Sequence, residues 1–186
     1  MKATDILMSE HRVIERVIAA LGTAADRLEA GEPVRAGFFL DAADFIKGFA
    51  DGYHHRKEEG VLFTTMEEYG IPVQGGPIGM MLYEHEQGRM FTRGMREAAQ
   101  QLERGDETAV PALVRSARGY AMLLRQHIMK EDRVLFPMAN QVIPTVEQDL
   151  VYAGFENVEH EETGEGMHEK YLALAAALER EIGICE

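Results

Sequence analysis

One segment of the chain occurs twice. Residues 53–63 read Tyr-His-His-Arg-Lys-Glu-Glu-Gly-Val-Leu-Phe and align without a gap on residues 126–136, which read Gln-His-Ile-Met-Lys-Glu-Asp-Arg-Val-Leu-Phe. A Glu-His pair precedes each copy, at residues 10–11 and 84–85, and the intervals from that histidine to the next repeated histidine differ by one residue. The chain therefore repeats a unit of two segments, and its halves are expected to be related by an approximate twofold axis.

Apolar residues recur at helical spacing in both halves, and glycine and proline separate the helices. The pattern predicts four long helices, which run from Thr4 or Asp5 to residues 31–33, from Val34 to Tyr69, from Pro77 to Gly105, and from Pro111 to Val142 with a bend or an end at Pro137. Beyond Pro144, a fifth and less regular helix carries His160 and His168.

Long helices joined by short loops pack against their neighbours in antiparallel fashion. We therefore predict an all-α protein, an antiparallel up-down-up-down four-helix bundle with an additional C-terminal helix. The bundle is expected to span residues 1–141. Residues 142–186 form a helical extension packed on it, within a single domain overall.

Composition excludes several functional classes. A net charge of −13 opposes binding to nucleic acid, because such a protein needs a basic face. The single cysteine, Cys185, excludes an internal disulfide and a cysteine-based metal site. No apolar run approaches the length of a membrane span, and the N-terminus lacks a signal-peptide core. We expect no nucleic-acid or membrane partner and a cytoplasmic location in a prokaryote.

The repeated histidines and glutamates are candidates for a metal site. In each copy a histidine precedes a glutamate by four residues, His54 before Glu58 and His127 before Glu131, which places both side chains on one helix face. With His11 and His85, these residues fall on the apolar seams of four helices. The pattern therefore brings four imidazoles and two carboxylates to one level of the core.

Buried carboxylates at one level would repel each other and lose hydration unless a cation neutralised them. Imidazole and carboxylate suit iron, and also manganese or zinc, whereas softer metals prefer thiolates. Any one of these histidines alone would more often be an ordinary core or surface residue. Six ionisable residues at core positions of four helices, in a twofold pattern, favour the metal site.

These residues also carry a resemblance to the hemerythrin-like, or HHE cation-binding, family, over residues 1–141. The resemblance implies an antiparallel bundle that holds an oxo- or hydroxo-bridged pair of iron ions. It implies that His11 and His54 bind one iron, that His85 and His127 bind the other, and that Glu58 and Glu131 bridge the pair.

The oxygen carriers of that family place two histidines four residues apart on the third helix. Here Arg89 follows His85 at that interval and Met81 precedes it, so one terminal ligand is missing. Three residues are candidates for that position or for a supporting role: Glu86, His55 and His168. We prefer His168, because it shares a stripe with the apolar residues of the last helix, although a hydrogen-bonded core histidine would give the same pattern.

Two functions follow from the resemblance. The first is binding or sensing of O2, NO or iron itself by a di-iron protein. The second is a redox enzyme that acts on peroxide or nitric oxide, because an open coordination position is typical of catalytic metal sites. A ferritin-like carboxylate oxidase requires Glu-x-x-His on two helices, and only residues 165–168 match.

Overall fold

The computed structural model describes residues 2–162 and 166–184, so Cys185 and Glu165 lie outside the described part of the chain. All the regular structure of the described residues is helical. We number six helices: α1 (Ala3–Glu29), α2 (36–68), α3 (Pro77–Glu103), α4 (110–142), α5 (Gln148–Asn157) and α6 (Met167–Ile182). Short 3-10 turns lie at Glu107–Ala109 and Thr145–Glu147.

The ends of the helices follow the glycines from which they were predicted. Gly31, Gly70 and Gly105 have φ angles of 77°, 90° and 92°, in the left-handed region where a side chain would be strained. At the other end, α1 begins at Ala3, slightly before the predicted start. Asp5 lies in its first turn and accepts a hydrogen bond of 2.7 Å from the backbone N–H of Lys2.

The predicted antiparallel bundle is confirmed. Between α1 and α4, Asp26 pairs with Arg118 at one end and His11 with Asp132 at the other, so the two helices run in opposite directions. Helix α3 packs antiparallel between α4 and α2. No described helix is long and apolar enough to cross a membrane.

The C-terminal extension contains two helices where the sequence predicted one. Gly166, with a φ angle of 78°, separates α6 from the preceding segment. Helix α6 fills the groove between α1 and α2, where its Glu179 pairs with Arg16. Its Tyr171 packs against α2 at Gly48, where any Cβ would collide with the tyrosine hydroxyl. The division of the chain at residue 141 remains a prediction.

A polar layer divides the core of the bundle into two apolar clusters. One cluster lies towards the loop between α1 and α2 and includes Ile14, Phe49 and Leu124. The other includes Leu7 and Leu135. The repeated histidines and glutamates fall between these clusters on each of the four bundle helices.

Helices α2 and α4 contain wide π turns beside the polar layer. They occupy Ile46–His55 and Glu58–Leu62 in α2, and Glu131–Leu135 in α4. In such turns the backbone hydrogen bonds span five residues, which changes the direction of the following side chains. In contrast to one predicted alternative, α4 does not end at Pro137 but continues to Val142 directly after its wide turn.

Candidate metal centre

The structure brings the six repeated residues to one level of the bundle. None of them is more than 2% exposed: His11, His54, Glu58, His85, His127 and Glu131. Each of the four long helices contributes at least one of them. Burial of so many ionisable groups is costly unless their charges and hydrogen-bonding atoms are matched.

Together with His55, these side chains form two groups that could each hold a metal ion. The first group consists of His11, His54, Glu58 and Glu131. The second consists of His55, Glu58, His85 and His127. Within each group, one nitrogen or oxygen atom of every member lies within 4.8 Å of those of the others.

The two glutamates lie between the groups. The two oxygens of Glu58 lie 3.4 Å from Nε2 of His54 and 3.5 Å from Nε2 of His85. One oxygen of Glu131 lies 3.2 Å from Nε2 of both His11 and His127. Each carboxylate therefore contacts one histidine of each group, and Glu58 is a member of both groups.

Of the three candidates that the sequence offered for the missing ligand, His55 is the one that belongs to a group. It is 4% exposed and its ring stacks on that of His85, with 3.8 Å between the ring centroids. In a regular α-helix it would point about 100° away from its neighbour His54. The wide turn Ile46–His55 ends at this residue, and both histidines face the polar layer.

His168, which the sequence favoured, and Glu86 lie outside both groups, whereas His55 belongs to the second. His168 packs against the rings of Phe49 and Tyr53, at centroid distances of 5.9 and 5.7 Å, on the side of the bundle that α6 covers. Glu86 is 60% exposed and accepts a hydrogen bond from Arg89.

A second ring of carboxylates surrounds the histidines. The Nδ1 atoms of four imidazoles lie 2.7–2.9 Å from a carboxylate oxygen of another helix, in the pairs His11–Asp132, His54–Glu10, His85–Glu59 and His127–Glu84. A proton on Nδ1 that is donated to a carboxylate leaves Nε2 free to bind a metal. These carboxylates were not predicted, although the repeat contains them, because Glu10 matches Glu84 and Glu59 matches Asp132.

Each outer carboxylate is in turn paired with a cation. Lys57 pairs with Glu10 and Lys130 with Glu84, at equivalent positions of the repeat. Asp132 pairs with Arg12, and Glu59 accepts a hydrogen bond of 2.8 Å from Arg89. The outer charges are therefore neutralised within the protein, whereas the two central glutamates contact only histidines.

Electrostatics at the centre favour positive charge. Burial lowers the pKa of His54, but Glu58 and Glu10 outweigh it and raise the pKa to about 10. Burial also opposes ionisation of Glu131, yet His127 and His11 hold its pKa well below the ordinary value. For His55, burial and the neighbouring histidines lower the pKa, so its imidazole is neutral and able to act as a ligand.

The buried atoms without hydrogen-bond partners test whether metal ions fit. Among the described residues such atoms are Nε2 of His11 and His54, both oxygens of Glu58 and Glu131, both ring nitrogens of His55, and the hydroxyl of Tyr120. All except the Tyr120 hydroxyl belong to the two groups. A cation in each group would satisfy these atoms, and nitrogen and oxygen donors without sulfur suit iron, manganese or zinc.

A family model for the hemerythrin HHE cation-binding domain matches residues 2–139. The chain belongs to this family. Uncharacterized proteins from Mycobacterium bovis and from two strains of Mycobacterium tuberculosis are each 27% identical to it over 182 residues, which are 98% of this chain and 71% of theirs. No solved structure matches this hemerythrin-like chain significantly.

Proposed function

We propose that this hemerythrin-like protein binds two iron ions, one in each group, bridged by Glu58 and Glu131. The observation that carries the proposal is the set of buried nitrogen and oxygen atoms that have no hydrogen-bond partner and that converge in two places. His11 and His54 would hold the first ion. His55, His85 and His127 would hold the second.

When bound, an iron pair supplies redox-active centres and a position at which a small ligand coordinates. The protein supplies the route to that position. A cavity of about 350 Å³ between α2 and α3 is lined by His55 and His85 of the second group. We infer that O2, NO or a related small molecule enters through this cavity, and that binding or sensing of such a ligand, or of iron itself, is the function.

A redox reaction with peroxide or nitric oxide is the second candidate. The observation in its favour is the size of the cavity, which exceeds the volume of a diatomic molecule and leaves room for a reactant beside His55. Retention of an oxygenated spectrum through repeated cycles would favour binding, and irreversible oxidation with consumption of peroxide would favour the enzyme.

Metal content and the optical spectrum of the purified protein test the proposal. We expect about two irons per chain, with charge-transfer bands that change on addition of azide and after reduction by dithionite and re-exposure to air. His54→Ala and Glu58→Ala should abolish binding of the pair, whereas His160→Ala, a change at an exposed residue, should leave it intact. Full iron occupancy in both core variants would overturn the ligand assignment.

A further inference from the structure

The cavity beside the second group is basic, although the protein as a whole is acidic. Four of its lining residues are cationic, namely Lys47, Arg89, Arg93 and Arg96, and one is acidic, Asp51. The chain carries a net charge of −13, so a concentration of positive charge at one cavity is unexpected from composition. A cleft lined by one sign of charge raises the local concentration of ions of the opposite sign.

The four cations are not equivalent. Arg89 is paired with Asp51, Glu59 and Glu86, and Arg96 is paired with Asp44. Their charges are therefore largely neutralised by the protein.

Lys47 and Arg93 are different. Both are exposed, and no ion pair with another described residue is found for either. Lys47 belongs to α2 and Arg93 to α3, so the two helices that border the cavity each contribute one exposed cation without an ion-pair partner among the described residues.

The inner part of the cavity offers unused polar atoms. Tyr120 is 2% exposed and its hydroxyl has no hydrogen-bond partner among the described residues. Burial raises the pKa of Tyr120, so the hydroxyl keeps its proton and remains a hydrogen-bond donor. His55, which would hold the second metal ion, lines the same cavity, so the hydroxyl of Tyr120 and the proposed metal position share it.

We propose that this cavity is a binding site for a small organic carboxylate at the second metal position. Lys47 and Arg93 attract its negative charge, and the hydroxyl of Tyr120 is available to donate a hydrogen bond. The volume of about 350 Å³ accommodates a carboxylate with a short carbon chain, larger than the diatomic ligands considered above. The inference rests on the proposed function, because the metal held by His55, His85 and His127 supplies the remaining ligand contact.

The test compares an anion with a neutral ligand. Iron-loaded protein is titrated with acetate, followed by calorimetry and by the optical spectrum, and separately with nitric oxide, which is uncharged. The double variant Lys47→Gln/Arg93→Gln should bind acetate about five-fold more weakly, with little change for nitric oxide. The matched control Arg104→Gln/Arg180→Gln removes the same charge at exposed positions that do not line the cavity, and should bind acetate as the unaltered protein does.

The position of the ligand is tested independently with Tyr120→Phe, which removes only the hydroxyl. This variant should lower the affinity for acetate by about three-fold or more and retain its iron. The carboxylate site would be overturned if the control double variant bound acetate as weakly as the Lys47→Gln/Arg93→Gln variant. It would also be overturned if neither that variant nor Tyr120→Phe changed the affinity for acetate.

Failure of the proposed function gives a different result. Metal-free or zinc-loaded protein is titrated with acetate and followed by the amide resonances of Gly88 and Thr92, which line the cavity. Shifts that disappear in the Lys47→Gln/Arg93→Gln variant would support the anion site even if the protein bound no iron. If neither the metal-free nor the zinc-loaded protein shows shifts, and the protein does bind two irons, the anion site is overturned and the proposed function is not.

Discussion

At the scale of single residues, the imidazoles of the centre are oriented by carboxylates that lie outside it. A carboxylate on another helix binds the Nδ1 atom of each of four histidines, so Nε2 is directed inwards before any metal arrives. The affinity for metal is therefore expected to depend on residues that never touch it.

Glu84 provides a test of this dependence. Glu84→Gln removes the negative charge beside Nδ1 of His127 while preserving its size, and we expect the affinity for iron to fall about 10- to 100-fold. Competition with a chelator measures the change. Glu86→Gln is the control, because this neighbouring residue is exposed and accepts a hydrogen bond from Arg89. Equal affinities in the two variants would show that Glu84 does not orient its histidine.

His55, instead of the residue that the sequence favoured, His168, is the histidine that we propose as a ligand in the second group. His55→Leu should retain about one iron per chain instead of two, because the first group lacks this residue. His168→Leu makes the same substitution at a histidine outside both groups, and this variant should retain both irons. Metal analysis of both proteins decides between them, and loss of iron in the His168 variant alone would restore the earlier preference.

The repeat was sufficient to predict which six residues meet at one level, because equivalent positions in two copies are expected to be equivalent in space. It could not predict His55, because the equivalent position in the second copy is Ile128, an apolar core residue. The signal was the doublet His54-His55 after two glycines in one helix, Gly48 and Gly52, which indicates an irregular backbone.

At the scale of helices, the two copies of the repeat differ in what covers them. Lys57 in α2 and Lys130 in α4 are equivalent, and both pair with an outer carboxylate. Lys57 is fully buried and also donates to Glu159, at a distance of 2.5 Å, because α5 and the turn that follows it pack over this side. Lys130 is 36% exposed.

These two lysines should therefore contribute differently to stability. Lys57→Met leaves Glu10 buried without its cation and should lower the free energy of unfolding by about 3–5 kcal/mol. Lys130→Met breaks a partly exposed pair and should cost about 1 kcal/mol or less. Urea denaturation of the two variants under identical metal conditions gives the comparison. A similar cost in both would mean that the extension does not bury this pair in solution.

Helix boundaries were predictable where glycine or proline sets them, as at Gly31, Gly70 and Gly105. The wide turns could not be predicted, because the apolar pattern continues through Ile46–His55 and Glu131–Leu135 without interruption. The extension was predicted as one helix because the apolar stripe around His168 is regular. The sequence did not reveal that the turn at Gly166 separates this helix from the preceding segment.

At the scale of the whole molecule, the charged layer couples folding to metal and to pH. In metal-free protein, the pKa values of His54 and His127 are raised to about 10, so their protonation stabilises the fold. That contribution is complete below the unfolded value of about 6.5 and is lost as the pH rises towards about 10. Bound metal requires the unprotonated imidazoles and competes with these protons.

The stabilisation by metal should therefore grow with pH. We expect the difference in melting temperature between iron-loaded and metal-free protein to increase from about pH 6 to about pH 9. Thermal unfolding of both forms in one buffer series, at constant ionic strength, measures it. A difference that stays constant or shrinks over this range would contradict the sign of the coupling.

The cavity between α2 and α3 borders only one of the two groups. His55 and His85 line it, whereas His11 and His54 do not. If metal enters from this side, we expect an ion to reach the inner position only while the outer one is vacant, so the ion at His11 and His54 should arrive first and depart last. Removal of iron by a chelator should then proceed in two kinetic phases, and the slower phase should report the ion that the rest of the centre encloses.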